Sequence, residues 1–337
     1  MEVAVLVVLM VGLWLLARAL GITGGRQFDL DGEVVVITGA ASGIGRQLAL
    51  KVFVETTDIT MALLDIDLNA LEKLQTELIQ MQNNVDTKRV SIYECDVADH
   101  RAVDECMARL IDDIAPKHIG VLVNNAGIVV GRSFQELKAE QIQKTFAVNT
   151  LAHFWTVKAA LPSMKKASES LLVTVSSVMG MTSSAGLTDY CASKAAVNAF
   201  HEALRLELWR DNVTSVRTLL VCPAAVDTGM FAGALTADDW AVKMSRLFIP
   251  MLSESAVADS IYRSMWCGDQ LLVSCFSGWR GIALSWAPAV SRLLPVPLYD
   301  WVVRMGGGLN GMDTFVGKHN ARHEDLNQEQ LLKEKSC

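Results

Sequence analysis

Six short runs of β-branched and aliphatic residues, separated by stretches long enough for helices, leave this chain few folds to adopt. VVVIT (34–38), ITMALLD (59–65), VSIYEC (90–95), IGVLVN (119–124), LLVTVS (171–176) and SVRTLLV (215–221) have the length and composition of buried strands. Between the second and third, DLNALEKLQTELIQMQ places Leu68, Leu71, Leu74 and Leu78 on one helical stripe. Parallel neighbours need a crossover of this length, so the alternation predicts an α/β protein built on a doubly wound parallel sheet. It ends with LLVSC (271–275), and no repeat or low-complexity linker interrupts it, so residues 27–275 read as one domain.

Directly after the first strand comes TGAASGIG, opening into a helix at Arg46. Gly39, Gly43 and Gly45, with Ser42 and Ile44 among them, let backbone N–H groups and a helix N-terminus approach a pyrophosphate without side-chain obstruction. A strand before and a helix after are what a Rossmann-type dinucleotide site requires of such a loop. Asp65 ends the second strand, where a carboxylate accepts both ribose hydroxyls of an adenosine and repels a 2′-phosphate. No basic residue immediately follows it, which favours NAD over NADP; Arg46, turned toward a phosphate, would admit NADP. Asp96, in the CDV run with Val97 after the third strand, is placed to hydrogen-bond an adenine amine, whereas the nearby Asp99 suits a helix cap.

The segment SVMGMTSSAGLTDYCASK (177–194) carries the reactive side chains. Tyr190 and Lys194 stand at i and i+4, so on a helix the ammonium lies beside the phenol and favours its ionised form. A tyrosine tuned in this way moves protons near neutral pH. Ser177, at the end of an apolar strand, can reach the same substrate oxygen.

In order and spacing, TGAASGIG, Asp96, NNAG at 124–127, Asn149 and the Ser177, Tyr190, Lys194 set resemble the short-chain dehydrogenase/reductase family over about residues 30–320. The resemblance implies that Tyr190 is the proton donor or acceptor and that Ser177 orients the substrate oxygen. It implies further that Lys194 binds the nicotinamide ribose while lowering the tyrosine pKa, and that Asn149 holds a water of the proton relay. Asn124, Ala126 and Gly127, together with Pro223, Val226 and Thr228 in CPAAVDTGMF, are the further cofactor contacts it implies. Ala224 stands where the family usually has glycine, which removes conformational freedom at the cleft mouth. The N-terminal stretch, NTLAHFWTVKAALPSM, SSAGLTDYCASK and the closing GMDTFVGKH resemble the membrane-bound retinol dehydrogenase and retinal reductase branch, whose substrates are all-trans-retinoids. Branches acting on 17β-hydroxysteroids share most of these motifs. A catalytically quiet partner of a related dehydrogenase is the third expectation, and the complete Ser177, Tyr190, Lys194 set argues against it.

Outside this body, the formal charge of −7 and the lack of a dense basic stripe exclude nucleic acid as a partner. The 7 cysteines show no Cys-x-x-Cys pair, so neither a disulfide framework nor a zinc site is expected. His319 and His323 sit in a polar tail (318–337) and read as surface residues rather than metal ligands. Residues 1–26 are apolar from Val3 to Ala17, and as a helix Val3 to Ile22 would span about 30 Å, a bilayer core. A Met-Glu start, with Arg18 and Arg26 beyond the stretch, favours a retained anchor with a cytosolic catalytic body over a cleaved signal peptide or an interfacial helix. The terminal KEKSC resembles a dilysine signal of the endoplasmic reticulum membrane. Residues 276–317 interleave Trp279, Trp286 and Trp301 with arginines, as an interfacial segment or a cap over the cleft would, and Pro288, Pro295 and Pro297 forbid one long helix. A second apolar face on the 141–164 stretch and on the helix near Tyr190 suits a homodimer or a hetero-oligomer with a related dehydrogenase.

Overall fold

The computed structural model describes Gly12 and residues 26–316, apart from 82–88, 235, 237, 249 and 277. The apolar N-terminal stretch, the terminal lysines, His319 and His323 lie outside the described residues. Among those described, no helix is long and apolar enough to cross a membrane.

The predicted strands appear in place. β1 (Val34–Thr38), β2 (Thr60–Asp65), β3 (Val90–Glu94), β4 (Ile119–Asn124), β5 (Ser170–Val175), β6 (Val216–Pro223) and an edge strand, Leu271–Ser274, form one parallel sheet ordered β3-β2-β1-β4-β5-β6-edge. Every residue of β1, β4 and β5 is buried, because helices cover both faces of the sheet. Strand order reverses between β1 and β4, and this switch point opens a crevice at the carboxyl ends of the strands.

Helix α1 (Gly43–Glu55) begins three residues before Arg46, since Ser42 takes the extended conformation of an N-cap and Gly43 is already the first helical residue. Helix α2 (Leu68–Met81) buries Leu71, Leu74 and Leu78, leaving Leu68 half-buried at its first turn. Asp99 caps α3 (His100–Asp113), its side chain accepting from the Arg101 N–H. The 141–164 stretch is not one helix: α4 (Ala139–Phe146) passes through a π turn at Ala147–Leu151 into α5 (Ala152–Met164). Helix α6 (Thr188–Arg210) carries Tyr190 and Lys194, and with α5 it leaves Phe154, Leu206 and Trp209 exposed.

Beyond β6, a two-stranded parallel pair, β7 (Val226–Asp227) and β8 (Leu252–Ser253), brackets α7 (Trp240–Phe248). Helix α8 (Glu254–Cys267) then leads to the edge strand, β9. The C-terminal segment forms α9 (Gly278–Ser291), which accommodates Pro288, and α10 (Val296–Met305), with Pro297 in its first turn. Between them Leu293–Pro295 break the run, as the prolines predict. Cys95, Cys106, Cys191, Cys222 and Cys275 are buried free thiols, and Cys267 is an exposed one.

Candidate active site

Tyr190 and Lys194 lie one turn apart at the start of α6, both buried. Ser177 follows β5 as the cap of a short 3₁₀ turn, its Oγ accepting from the Met179 N–H at 3.1 Å. Its hydroxyl faces the Tyr190 side chain and favours the ionised form of the phenol, an effect smaller than that of burial. Burial dominates both charged partners: it pushes the Tyr190 phenol up to about 12 and the Lys194 ammonium down to about 8. The expectation that the lysine favours phenolate is therefore corrected. Lys194 Nζ lies 5.9 Å from the ring centroid and donates to the Val175 carbonyl at 3.0 Å, and burial is the largest influence on the phenol.

Asn149 sits in the π turn, fully buried. Its Oδ1 accepts from the Ile128 N–H at 2.8 Å, and its Nδ2 donates to the Ile128 carbonyl at 2.9 Å and to Ser193 Oγ at 3.1 Å. This clamp fixes the loop after β4 and uses both Nδ2 protons, leaving the second lone pair of Oδ1 and the main chain of Asn149 for the expected water. Local π turns of this kind recur at functional sites.

The glycines divide their labour. Gly39 (φ +65°) backs onto the loop after β4, where a Cβ would stand 2.8 Å from Ala126 Cα. Gly43 (φ +58°) faces open space, the nearest atom to a Cβ being Glu254 Oε1 at 3.7 Å. At Gly45 a Cβ would meet the Gly39 carbonyl oxygen, so this glycine lets α1 press on the loop and does not face the crevice. Ser42 and Ile44 do face it.

At the end of the cavity expected to take adenosine, Asp65 is held by the Ala41 N–H at 2.9 Å and the Asp67 N–H at 3.1 Å. Asp67 joins it on the wall, doubling the negative charge there. Arg46 pairs with Glu77 on α2 rather than turning to the crevice. Asp96 accepts the Ala98 N–H at 3.0 Å and forms an ion pair with Lys144 at 3.0 Å; Val97 lies beside it. Asn124 is corrected: strand alternation turns it away toward α5, where its Oδ1 accepts from the Thr156 hydroxyl at 2.8 Å. Its neighbour Asn125 is on the wall instead, donating to the carbonyls of Thr38 at 3.0 Å and Gly39 at 3.1 Å. Strand alternation beyond Val123 was the available signal for Asn125, whereas nothing in the sequence marks Lys144 as a partner for Asp96.

Ala126, Gly127, Pro223, Ala224, Val226 and Thr228 complete the wall. Thr228 Oγ1 is buried with no hydrogen-bond partner among the described residues. One cavity of about 770 Å³ joins all these groups to Ser177, Tyr190 and Lys194. Beyond the tyrosine its lining turns apolar, with Met179, Met230, Phe231, Leu284, Pro288 and Val302. Phe231 meets the Tyr190 ring edge-on at 5.8 Å. The C-terminal segment roofs this chamber: the Val316 N–H donates to the Ala232 carbonyl at 2.9 Å, and the Ala185 N–H to the Gly308 carbonyl at 2.8 Å.

A family model described as short chain dehydrogenase matches residues 33–239. Short-chain dehydrogenase/reductase family 16C member 6 of Bos taurus is 36% identical over 241 residues, 71% of this chain and 71% of that protein. Retinol dehydrogenase 10 of Homo sapiens is likewise 36% identical over 241 residues, 66% of this chain and 70% of that protein. Among solved structures, a short-chain dehydrogenase/reductase from Burkholderia phymatum in complex with NAD is 26% identical, with a TM-score of 0.61 over 72% of this chain and 90% of that one.

Proposed function

This chain belongs to the short-chain dehydrogenase family, and from that premise we propose that it is an NAD-linked oxidoreductase interconverting a lipophilic alcohol and its carbonyl, with all-trans-retinol and retinal as the pair. The observation that carries this is the continuity of one cavity, polar and glycine-lined on one side of Tyr190 and apolar on the other. A nicotinamide dinucleotide suits the polar side: Gly43 leaves a cradle open, Thr228 Oγ1 is an unpartnered buried hydroxyl, and Asp65 and Asp67 disfavour a 2′-phosphate. The retinol dehydrogenase among the relatives supports a retinoid over a steroid in the apolar half.

A bound nicotinamide supplies the hydride acceptor or donor. Position and the proton are the work of this chain. Ser177, on the cavity wall with the tyrosine, offers its hydroxyl to the substrate oxygen. Tyr190 holds its proton on Oη at neutral pH and delivers it to a carbonyl oxygen in reduction. In oxidation the phenolate form of Tyr190, with the Lys194 ammonium one helical turn away, takes the alcohol proton and becomes the neutral phenol that burial favours. Asn149 keeps the loop of Ala126 and Gly127 in place through its clamp on Ile128.

We place this body at the cytosolic face of the endoplasmic reticulum membrane, tethered by residues 3–22. The exposed Phe154, Leu206 and Trp209 are the surface for a homodimer or a hetero-oligomer. Turnover of the membrane-embedded full chain with NAD and NADP, against retinol, retinal and a 17β-hydroxysteroid, tests the reading. Retinol oxidation with NAD is expected. Turnover of the steroid alone overturns the substrate, and no turnover combined with activation of a related dehydrogenase overturns the enzyme.

A further inference from the structure

The α9–α10 hairpin presents an apolar outer surface that no element among the described residues covers. Leu293 is 76% exposed, Val296 70% and Trp301 57%, with Leu298 close behind at 46%. The surface adjoins the cavity at Val302, which lines the chamber and is 37% exposed. The hairpin is a braced structure: Arg292 Nε donates to the Met181 carbonyl at 3.0 Å, and the Tyr299 hydroxyl meets Thr182 Oγ1 at 3.0 Å. Burial of such side chains is favourable, so leaving several exposed beside a cavity mouth points to a partner that covers them.

The rest of that flank says which partner. Helix α9 packs on β9, the sheet edge, with Ser285 Oγ donating to the Val273 carbonyl at 3.2 Å. Along the same edge Trp266 and Leu271 are exposed. Here too the chain enters the fold, the Phe28 N–H donating to the Trp266 carbonyl at 3.2 Å. The apolar stretch Val3–Ile22 therefore joins the body on the β9 flank, and the residues between Ile22 and Phe28 can reach about 20 Å when extended. A tether of that length lets the flank lie against the bilayer that holds it.

We propose that the outer face of the α9–α10 hairpin docks on a phospholipid bilayer, and that the lipophilic substrate passes from the acyl region into the cavity beside Val302. This deepens the lipophilic-alcohol reading and rests on it for the second half only. Apolar substrate is costly to move through water, and a mouth opening onto lipid removes that step. The tryptophans share the task unequally: Trp301 is exposed, Trp286 is half-buried in the fold, and the Trp279 side chain lies outside the described residues.

Full-length protein in phosphatidylcholine vesicles containing a lipid with a diazirine in its acyl chain, irradiated and mapped by peptide mass spectrometry, tests docking without any substrate. Label on peptides spanning 292–304 is expected in addition to label on residues 1–25. Label confined to residues 1–25, or cross-links joining hairpins of two copies in place of lipid label, overturns the proposal. The full chain carrying Leu293→Ser, Val296→Ser and Trp301→Ser should lose that hairpin label. It should also show KM for vesicle-delivered retinol raised by about fivefold, with kcat retained and activity toward a short water-soluble alcohol unchanged. Equal loss on both substrates with the label intact makes the hairpin a structural roof and overturns lipid entry. Hairpin label without retinol turnover instead removes the retinoid reading and leaves docking standing.

Discussion

Lys194 lies one helical turn from Tyr190 with its ammonium 5.9 Å from the ring centroid, yet it gives its hydrogen bond to the Val175 carbonyl at 3.0 Å. The pair is adjacent without being an ion pair. Removed from water, the phenol holds its proton, so the protein alone presents an acid rather than a base.

Tyr190→Phe should therefore remove general acid/base help while leaving the cofactor half of the cavity intact. A fall in kcat on the order of a hundredfold is expected, with cofactor affinity retained in a binding titration. Near-normal turnover by a folded variant would remove Tyr190 from the chemistry.

Cofactor choice should turn on Asp65 and Asp67, which line the cavity together. With Arg46 held by Glu77, no guanidinium among the described residues that line the cavity offsets the two carboxylates, and kcat/KM should be higher with NAD than with NADP. Asp65→Ser should narrow the gap. A native preference for NADP would mean that Arg46 leaves Glu77 for a phosphate.

The sheet was legible because buried parallel strands are continuous apolar runs, and each run found here lies within a residue or two of its predicted bounds. The reactive set was legible because Tyr190 and Lys194 share one helix, whose period sets their distance. Three things were not. Asn125 replaces Asn124 on the wall because the strand end decides which asparagine faces the crevice. The tyrosine's protonation depends on burial, and spacing carries no measure of that. The pairing of Asp96 with Lys144 joins residues from separate elements, which no local pattern records.

Membrane orientation has a direct reporter in Asn212, which stands exposed in the turn after α6 within Asn212-Val213-Thr214. A sequon so placed is open to glycosylation in the lumen. The cytosolic placement predicts no glycan on Asn212 and digestion of the catalytic body by protease added to sealed microsomes. A glycan there reverses the orientation.

Two buried histidines set an acid limit. Burial lowers His153 to about 3, with Lys194 nearby adding to the effect; it lowers His201, whose Nδ1 meets Thr174 Oγ1 at 2.9 Å, to about 4, with Arg205 adding. Both folded values lie below the unfolded one, so the unfolded chain binds the extra protons. The stability tied to neutral histidine is present above pH 6.5 and lost as pH falls, by about 2 kcal/mol for each residue at pH 5. The urea midpoint should drop between pH 7 and pH 5, and drop less in His153→Gln. An identical drop in the variant would assign the acid sensitivity elsewhere.

Gly43 and Gly45 separate folding from binding. An alanine at Gly45 would drive its Cβ into the Gly39 carbonyl, a backbone atom that cannot step aside, so Gly45→Ala should lower Tm and cofactor affinity together. At Gly43 a Cβ has open space, and the cost is the left-handed backbone at φ +58°, about 1–2 kcal/mol for an L residue. Gly43→Ala should thus fold, with Tm lowered only modestly. The methyl would nevertheless occupy the cradle against which the pyrophosphate is expected to lie, and the KM for NAD should rise well beyond what the stability loss explains. Calorimetry of both variants beside NAD titrations decides it: if Gly43→Ala binds NAD as the wild type does, the dinucleotide does not approach this loop, and the polar half of the cavity serves something else.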